Sequence, residues 1–262
     1  MKHLNLTVTS SIMRLLIRSL QFSVVIIALT ALMSLQTNAQ VTLKLGGGIG
    51  VMSPASDLSG STIEYYNGSK YGLSSGLNIH GKAKIGFAGF NLAGEIDYSS
   101  LSNTGNSEPG LGRVDISQKI VSLKIGPEFR LSLPLVPVTP YLGLNVAMNS
   151  FSGETTFQGV SKVPSATYSV QSATRFGVGF CAGTEVSVGP LLSLDFNLSY
   201  NLMNLSGKEW TDVYPGKDQR IDSYLSLNDE RDPQYSGNDE HFISKARSIS
   251  SILFTVSVLF GL

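Results

Sequence analysis

Three side chains beyond the first 40 residues have the chemistry most often used in catalysis: His80, His241 and Cys181. If Ala88-Gly89 closes a two-residue turn, Phe87 faces Phe90, Lys82 faces Glu95 and His80 faces Asp97, each pair about 5 Å apart. A histidine beside a carboxylate is half of a hydrolytic triad. The sequence contains no His-Glu-x-x-His and no His-x-Ser, so His80 is expected to sit in a polar network rather than to catalyse. His241 lies in an acidic stretch with Asp229, Glu230, Asp232, Asp239 and Glu240. That stretch lacks EF-hand spacing. It reads as a solvated surface segment, with a weak divalent-cation site or cation-bridged contact with lipopolysaccharide as the sharper alternative. Cys181, the single cysteine, excludes a disulfide framework and a multi-cysteine zinc site, and is expected to pack inertly. Trp210 and Tyr214 in the longest loop could form a recognition surface, although a lone loop tryptophan more often packs locally. No catalytic, cofactor-binding or metal-ligating residue is assigned, and no cofactor is expected.

The elements that position these groups are strands. After Gln40 apolar residues recur at every second position, the strand period. The expected strands are Val41–Met52, Leu73–Phe87, Phe90–Ser100, Gln118–Leu131, Val138–Asn149, Arg175–Val188, Leu192–Met203 and Ile252–Leu262. Short connections alternate with long ones over 53–72, 101–117, 150–174 and 204–247. This predicts an all-β fold: an eight-stranded antiparallel up-and-down transmembrane β-barrel, the one strand architecture that leaves no backbone group unpaired in hydrocarbon. The polar faces carry Lys44, Lys82, Lys84, Lys124, Arg130 and Arg175 against Glu95, Asp97, Glu128, Glu185 and Asp195. Those faces have too few large apolar groups for a dry core, which argues against a water-soluble sandwich. An eight-stranded barrel is about filled by its own side chains, so the charges are expected to pair inside a closed lumen. A three-residue turn at Gly189 to Leu191 places Glu185 opposite Asp195. Such a pair needs a cation between them, with Lys44, Lys124 and Arg130 the candidates; failing that, one carboxyl would hold its proton.

The chain has 262 residues, 15% of them charged, with zero formal net charge. Such balance argues against a nucleic-acid partner. Residues 1–39 read as a signal peptide, with Lys2, Arg14 and Arg18, an apolar run from Phe22 to Leu35, and a small residue, Ala39, before the expected cut. Met13 is an alternative start. Residues 40–262 are then the barrel domain. Loop 204–247 carries nine acids against six bases and is expected to be polar and mobile. Strand-like stretches at Thr155–Gly159 and Ala166–Gln171 suggest that the fifth and sixth strands protrude as a hairpin, whose edge could pair with a partner strand.

The whole exported part resembles the small eight-stranded outer-membrane barrels of the OmpX and OmpA-barrel type, and most of all the porin-like outer-membrane β-barrel domain of Bacteroidota-like bacteria. The resemblance is carried by residues 121–131 (VSLKIGPEFRL), 139–145 (TPYLGLN) and 176–185 (FGVGFCAGTE), and by the alternation Phe254, Val256, Val258, Phe260 and Leu262 in the last strand. It implies residence in the bacterial outer membrane, contact with membrane lipid and lipopolysaccharide, and recognition of the last strand by the barrel assembly machinery. It also implies a monomer without enzymatic activity, serving a structural, adhesive or partner-docking role toward an extracellular protein. A narrow pore, a lipid-modifying enzyme and an accessory barrel of a secretion system are the alternatives.

Overall fold

The computed structural model describes residues 41–87, 89–131, 136–213, 221–237 and 243–261. The expected signal peptide, its cleavage point and Leu262 lie outside them. The strands are β1 (Thr42–Ser56), β2 (Gly76–Phe87), β3 (Phe90–Glu108), β4 (Leu111–Arg130), β5 (Val138–Gln158), β6 (Ala166–Ser187), β7 (Leu192–Ser206) and β8 (Ile249–Gly261). Each pairs antiparallel with its sequence neighbours, and β1 pairs with β8 to close the barrel. The expected registers hold: Lys82 faces Glu95, His80 faces Asp97, Phe87 faces Phe90 and Glu185 faces Asp195.

Alternation decides which way each side chain points. Outward residues such as Leu77 (73% exposed) and Ile49 (69%) contrast with inward Lys84 (1%) and Asp195 (0%). On β4 the outward apolar run extends from Phe129 to Val121, nine residues, the length a tilted strand needs to cross hydrocarbon. On β1, inward Gly46 and Gly48 let the strand lie close to β8. A Cβ at Gly48 would run into the Val256 carbonyl.

The structure corrects two expectations. The first concerns 101–117 and 150–174, which are mostly strand: β3 to β6 run about nine residues past the apolar belt at the long-loop end. Their period-two pattern continues through Val114, Ile116, Phe151 and Phe157. Interruptions such as Asn103 and Gly105, poor strand formers, hide it. The second concerns 204–247. It is not simply a solvated, mobile segment, since Tyr224, Leu225, Leu227 and Ile243 are buried, and so is the carboxylate of Asp229. Its Tyr224 and Leu227 join Tyr65, Tyr66 and Tyr71 from the 57–75 segment, and Leu101, Ile116, Phe151 and Phe157 from the strands, in one hydrophobic cluster. Two short helices belong to this cap, α1 (Thr62–Tyr66) and α2 (Asp222–Leu225). The interior is therefore stratified: charged at the level of the apolar belt and greasy above it.

Candidate functional site: a charged lumen beneath a packed cap

The lumen holds a connected ionic layer. Lys82 lies 3.1 Å from both Glu95 and Asp195. Lys84 lies 2.9 Å from Glu128 and 3.2 Å from Asp195. Its ammonium is aligned for a hydrogen bond with neither, so the attraction is Coulombic, and the face of Tyr141 approaches it at 4.1 Å. Lys124 bridges Glu95 (3.2 Å) and Asp97 (2.7 Å). Lys44 pairs with Glu185 and donates to Ser193. Charges so far from water persist only when paired in this way.

The opposed carboxylates Glu185 and Asp195 share no cation. Lys44 takes Glu185, whereas Lys82 and Lys84 take Asp195. Of the other two expected candidates, Lys124 is engaged by Glu95 and Asp97, and Arg130 makes no ion pair among the described residues. Alternation shows which cations point inward. It cannot show which reach across the barrel, because that depends on strand stagger. Tyr141 also escaped the sequence reading. Its hydroxyl donates to Asp195 at 2.8 Å and accepts from Asn197 at 2.9 Å. Its inward position within an alternating strand was the available signal.

His80 faces Asp97 in register yet does not bond it. Its Nε2 meets the Ser257 hydroxyl at 2.7 Å and its Nδ1 meets Asn78 Oδ1 at 3.2 Å. Asp97 is held instead by Lys124 and Asn78. The Ser257–His80–Asn78 chain has the connectivity of a hydrolytic relay, but Ser257 is wholly buried and no substrate carbonyl could approach its hydroxyl. Cys181 turns into the lumen beside a cavity of about 30 Å³ bordered by Lys82, Glu95, Lys124, Asn145 and Asn197, room for a water or two.

The cap is fastened from the barrel wall. Arg175, expected in the lumen, instead grips Asp229 through Nε at 3.0 Å and Nη2 at 2.9 Å, and reaches Glu209 at 3.1 Å. Asn204 donates to the same carboxylate at 2.8 Å. Arg247 stacks on the Tyr71 ring at 4.0 Å and donates to the carbonyls of Leu227 and Asn228. Tyr71 donates to the Leu227 carbonyl at 2.6 Å, and the rings of Tyr224 and Phe157 meet at 4.9 Å. Burial pushes the Tyr65 hydroxyl up to about 12 and raises Tyr71 as well, so both stay protonated. Ser61 and Glu64 form a capping box on α1. The Lys70 ammonium, 2.8 Å from Glu64, and the Ser61 amide hold that carboxyl below its usual range.

The acidic stretch is thus split between uses. Asp229 anchors the cap, and Asp232 is buried and accepts from the Gln234 amide. Asp239, Glu240, His241 and Tyr214 lie outside the described residues. No cluster of three His, Cys, Asp or Glu able to hold a metal occurs among the described residues. Trp210 is half-buried.

On the outside of the cap, β6 pairs with β7 only as far as Phe176–Ser206. From Ala166 to Thr174 it pairs with β5 on one side, and among the described residues no strand pairs with the other.

Residues 22–222 match the family described as outer membrane protein beta-barrel domain. No curated protein matches. Among solved structures the chain is similar to Neisserial surface protein A at 14% identity (86% of this chain and 99% of that one, TM-score 0.46). It is similar to Ail, the attachment invasion locus protein of Yersinia pestis, at 12% identity (85% and 99%, TM-score 0.43). It is also similar to OprG of Pseudomonas aeruginosa at 10% identity (87% and 98%, TM-score 0.45).

Proposed function

We propose, for a chain that belongs to the outer membrane protein β-barrel domain family, that it acts as a closed outer-membrane barrel that docks an extended segment of an extracellular protein along β6. The edge from Ala166 to Thr174, unpaired among the described residues, carries this reading. Native proteins protect exposed edges with charge, proline, bulges or a covering element. Here the corresponding edge of β3 is covered by the 57–75 segment, whose Thr62 and Gly72 bond Asn106 and Asn103. The β6 edge, ATYSVQSAT, has neither charge nor proline and suits strand addition, in which main-chain bonds supply affinity. The ionic layer and the cap support a role without conduction, since both would have to part before a solute could pass.

The test uses a labelled synthetic peptide with the sequence of residues 167–174 as a generic uncharged strand. Saturable binding to the folded barrel is expected, and it is lost in Ser169→Lys/Gln171→Lys, which charges the edge. Binding that survives both lysines refutes the edge as the docking site. A stable conductance in planar bilayers refutes the closed lumen.

A further inference from the structure

One ion pair of the lumen has the parts of a covalent bond. Glu95 faces Lys124 across the β3–β4 ladder, and Asp97, two residues on along the same side of β3, is the diagonal neighbour. Lys124 Nζ donates to Glu95 Oε1 at 3.2 Å and stands 2.7 Å from Asp97 Oδ2. That closer contact is not aligned as a hydrogen bond, which leaves the nitrogen free to turn onto Cγ. The other carboxylate oxygen, Oδ1, accepts from the Asn78 amide at 3.1 Å. Asn78, Asp97 and Lys124 are all buried. An amine, a carboxyl against it, a second carboxyl bonded to the amine and a donor on the carboxyl oxygen are what amide formation requires.

We propose that Lys124 and Asp97 condense into an isopeptide bond once the barrel has closed, with Glu95 carrying a proton between them. One ammonium proton passes to Asp97 Oδ2, leaving an uncharged amine beside an uncharged acid. Nζ attacks Cγ, and the charge that develops on Oδ1 is met by the Asn78 amide. Glu95 takes the second proton from Nζ and hands it to Oδ2, which leaves as water. The amide keeps the third proton, Oδ1 becomes its carbonyl oxygen, and Glu95 ends as it began. In bulk water the ions are the favoured state. Here both are out of water, where uncharged forms gain, and fixed contact replaces a bimolecular encounter. The water released has a place to go, since Glu95 and Lys124 border the cavity of about 30 Å³. Neighbouring pairs are less apt. Asp195 is a poor electrophile and a poor proton acceptor, because Lys82, Lys84 and the Tyr141 hydroxyl already crowd its oxygens. Lys44 is partly exposed and meets one carboxylate, Glu185, among the described residues, so water competes there. The bond would tie β3 to β4 at the level of the lumen and does not depend on the β6 edge.

The test is the intact mass of the chain before and after it is refolded from urea into micelles; the unfolded preparation supplies the reference. The folded barrel is expected to be lighter by one water. Trypsin should then release residues 85–113 joined to residues 120–130, with no cleavage after Lys124. Lys124→Arg keeps the cation but offers a guanidinium in place of the amine, and should fold at full mass, as its heat-modifiable migration will show. Glu95→Gln keeps Lys124 against Asp97 and should slow the loss of water roughly a hundredfold or more, the usual share of a positioned proton carrier. A folded parent barrel at full mass overturns the bond. So does a loss of water without the joined peptides, as a succinimide would give, or one that persists in Lys124→Arg. An unchanged rate in Glu95→Gln overturns the role of Glu95.

Discussion

Replacing Lys84 by methionine is expected to cost the barrel about 3–5 kcal/mol, the usual penalty for removing one partner of a buried ion pair. Methionine keeps most of the length of the side chain and removes the charge. Glu128, buried and 2.9 Å from Lys84, would be left with the Asn91 amide at 3.2 Å. Asp195 would keep only Lys82 as an ionic partner. The converse change, Asp195→Asn, is expected to cost less, about 1–3 kcal/mol, in the range of a charged hydrogen bond. Without that charge the four lysines of the layer still have one carboxylate each: Lys44 with Glu185, Lys82 with Glu95, Lys84 with Glu128 and Lys124 with Asp97. The Tyr141 hydroxyl could still donate to the amide oxygen. The double variant Lys84→Met/Glu128→Leu removes both members of a pair and is expected to recover most of the single-variant loss, because a buried pair exchanged for apolar groups is often neutral. Guanidinium unfolding in lipid vesicles measures all three. The reasoning fails if Lys84→Met lies within 1 kcal/mol of the parent, or if Asp195→Asn is the more damaging single change.

Three further outcomes are expected. Arg175→Ala leaves the fully buried Asp229 carboxylate without its cation, so hydrogen exchange should show the cap around Asp222–Asn228 losing about 3–5 kcal/mol of protection while the β7–β8 ladder stays protected; uniform loss would mean the cap is not a separate unit. Gly48→Ala drives a Cβ into the Val256 carbonyl and should lower unfolding stability by about 1–3 kcal/mol, whereas Gly94→Ala stays within about 0.5 kcal/mol. For Glu64 the folded carboxyl lies below its ordinary value of 4.5, so its contribution is present above that value and fades as pH falls through the folded one. Amide protection of α1 should therefore decline in acid below about pH 4.5, and this decline should vanish in Glu64→Gln; a persistent acid transition would assign it to another group.

What the chain determined by itself was the side each residue faces. Period-two alternation from Val121 to Leu131 or from Leu192 to Met203 needs no tertiary context, since successive strand side chains point to opposite faces whatever lies beyond them. Tight turns at Gly89 and at Gly189 to Leu191 then set the registers Lys82–Glu95 and Glu185–Asp195. Only the closed structure decided which inward charges meet. Lys82 and Lys84 reach Asp195 across the barrel, from strands far away in sequence, and Arg175 stands high enough to seize Asp229 instead of joining the lumen. The cap was hidden for the same reason. Tyr65, Phe157, Tyr224 and Leu227 are scattered among polar residues without a common period, and they form a core only because closure of the sheet brings their segments over one opening.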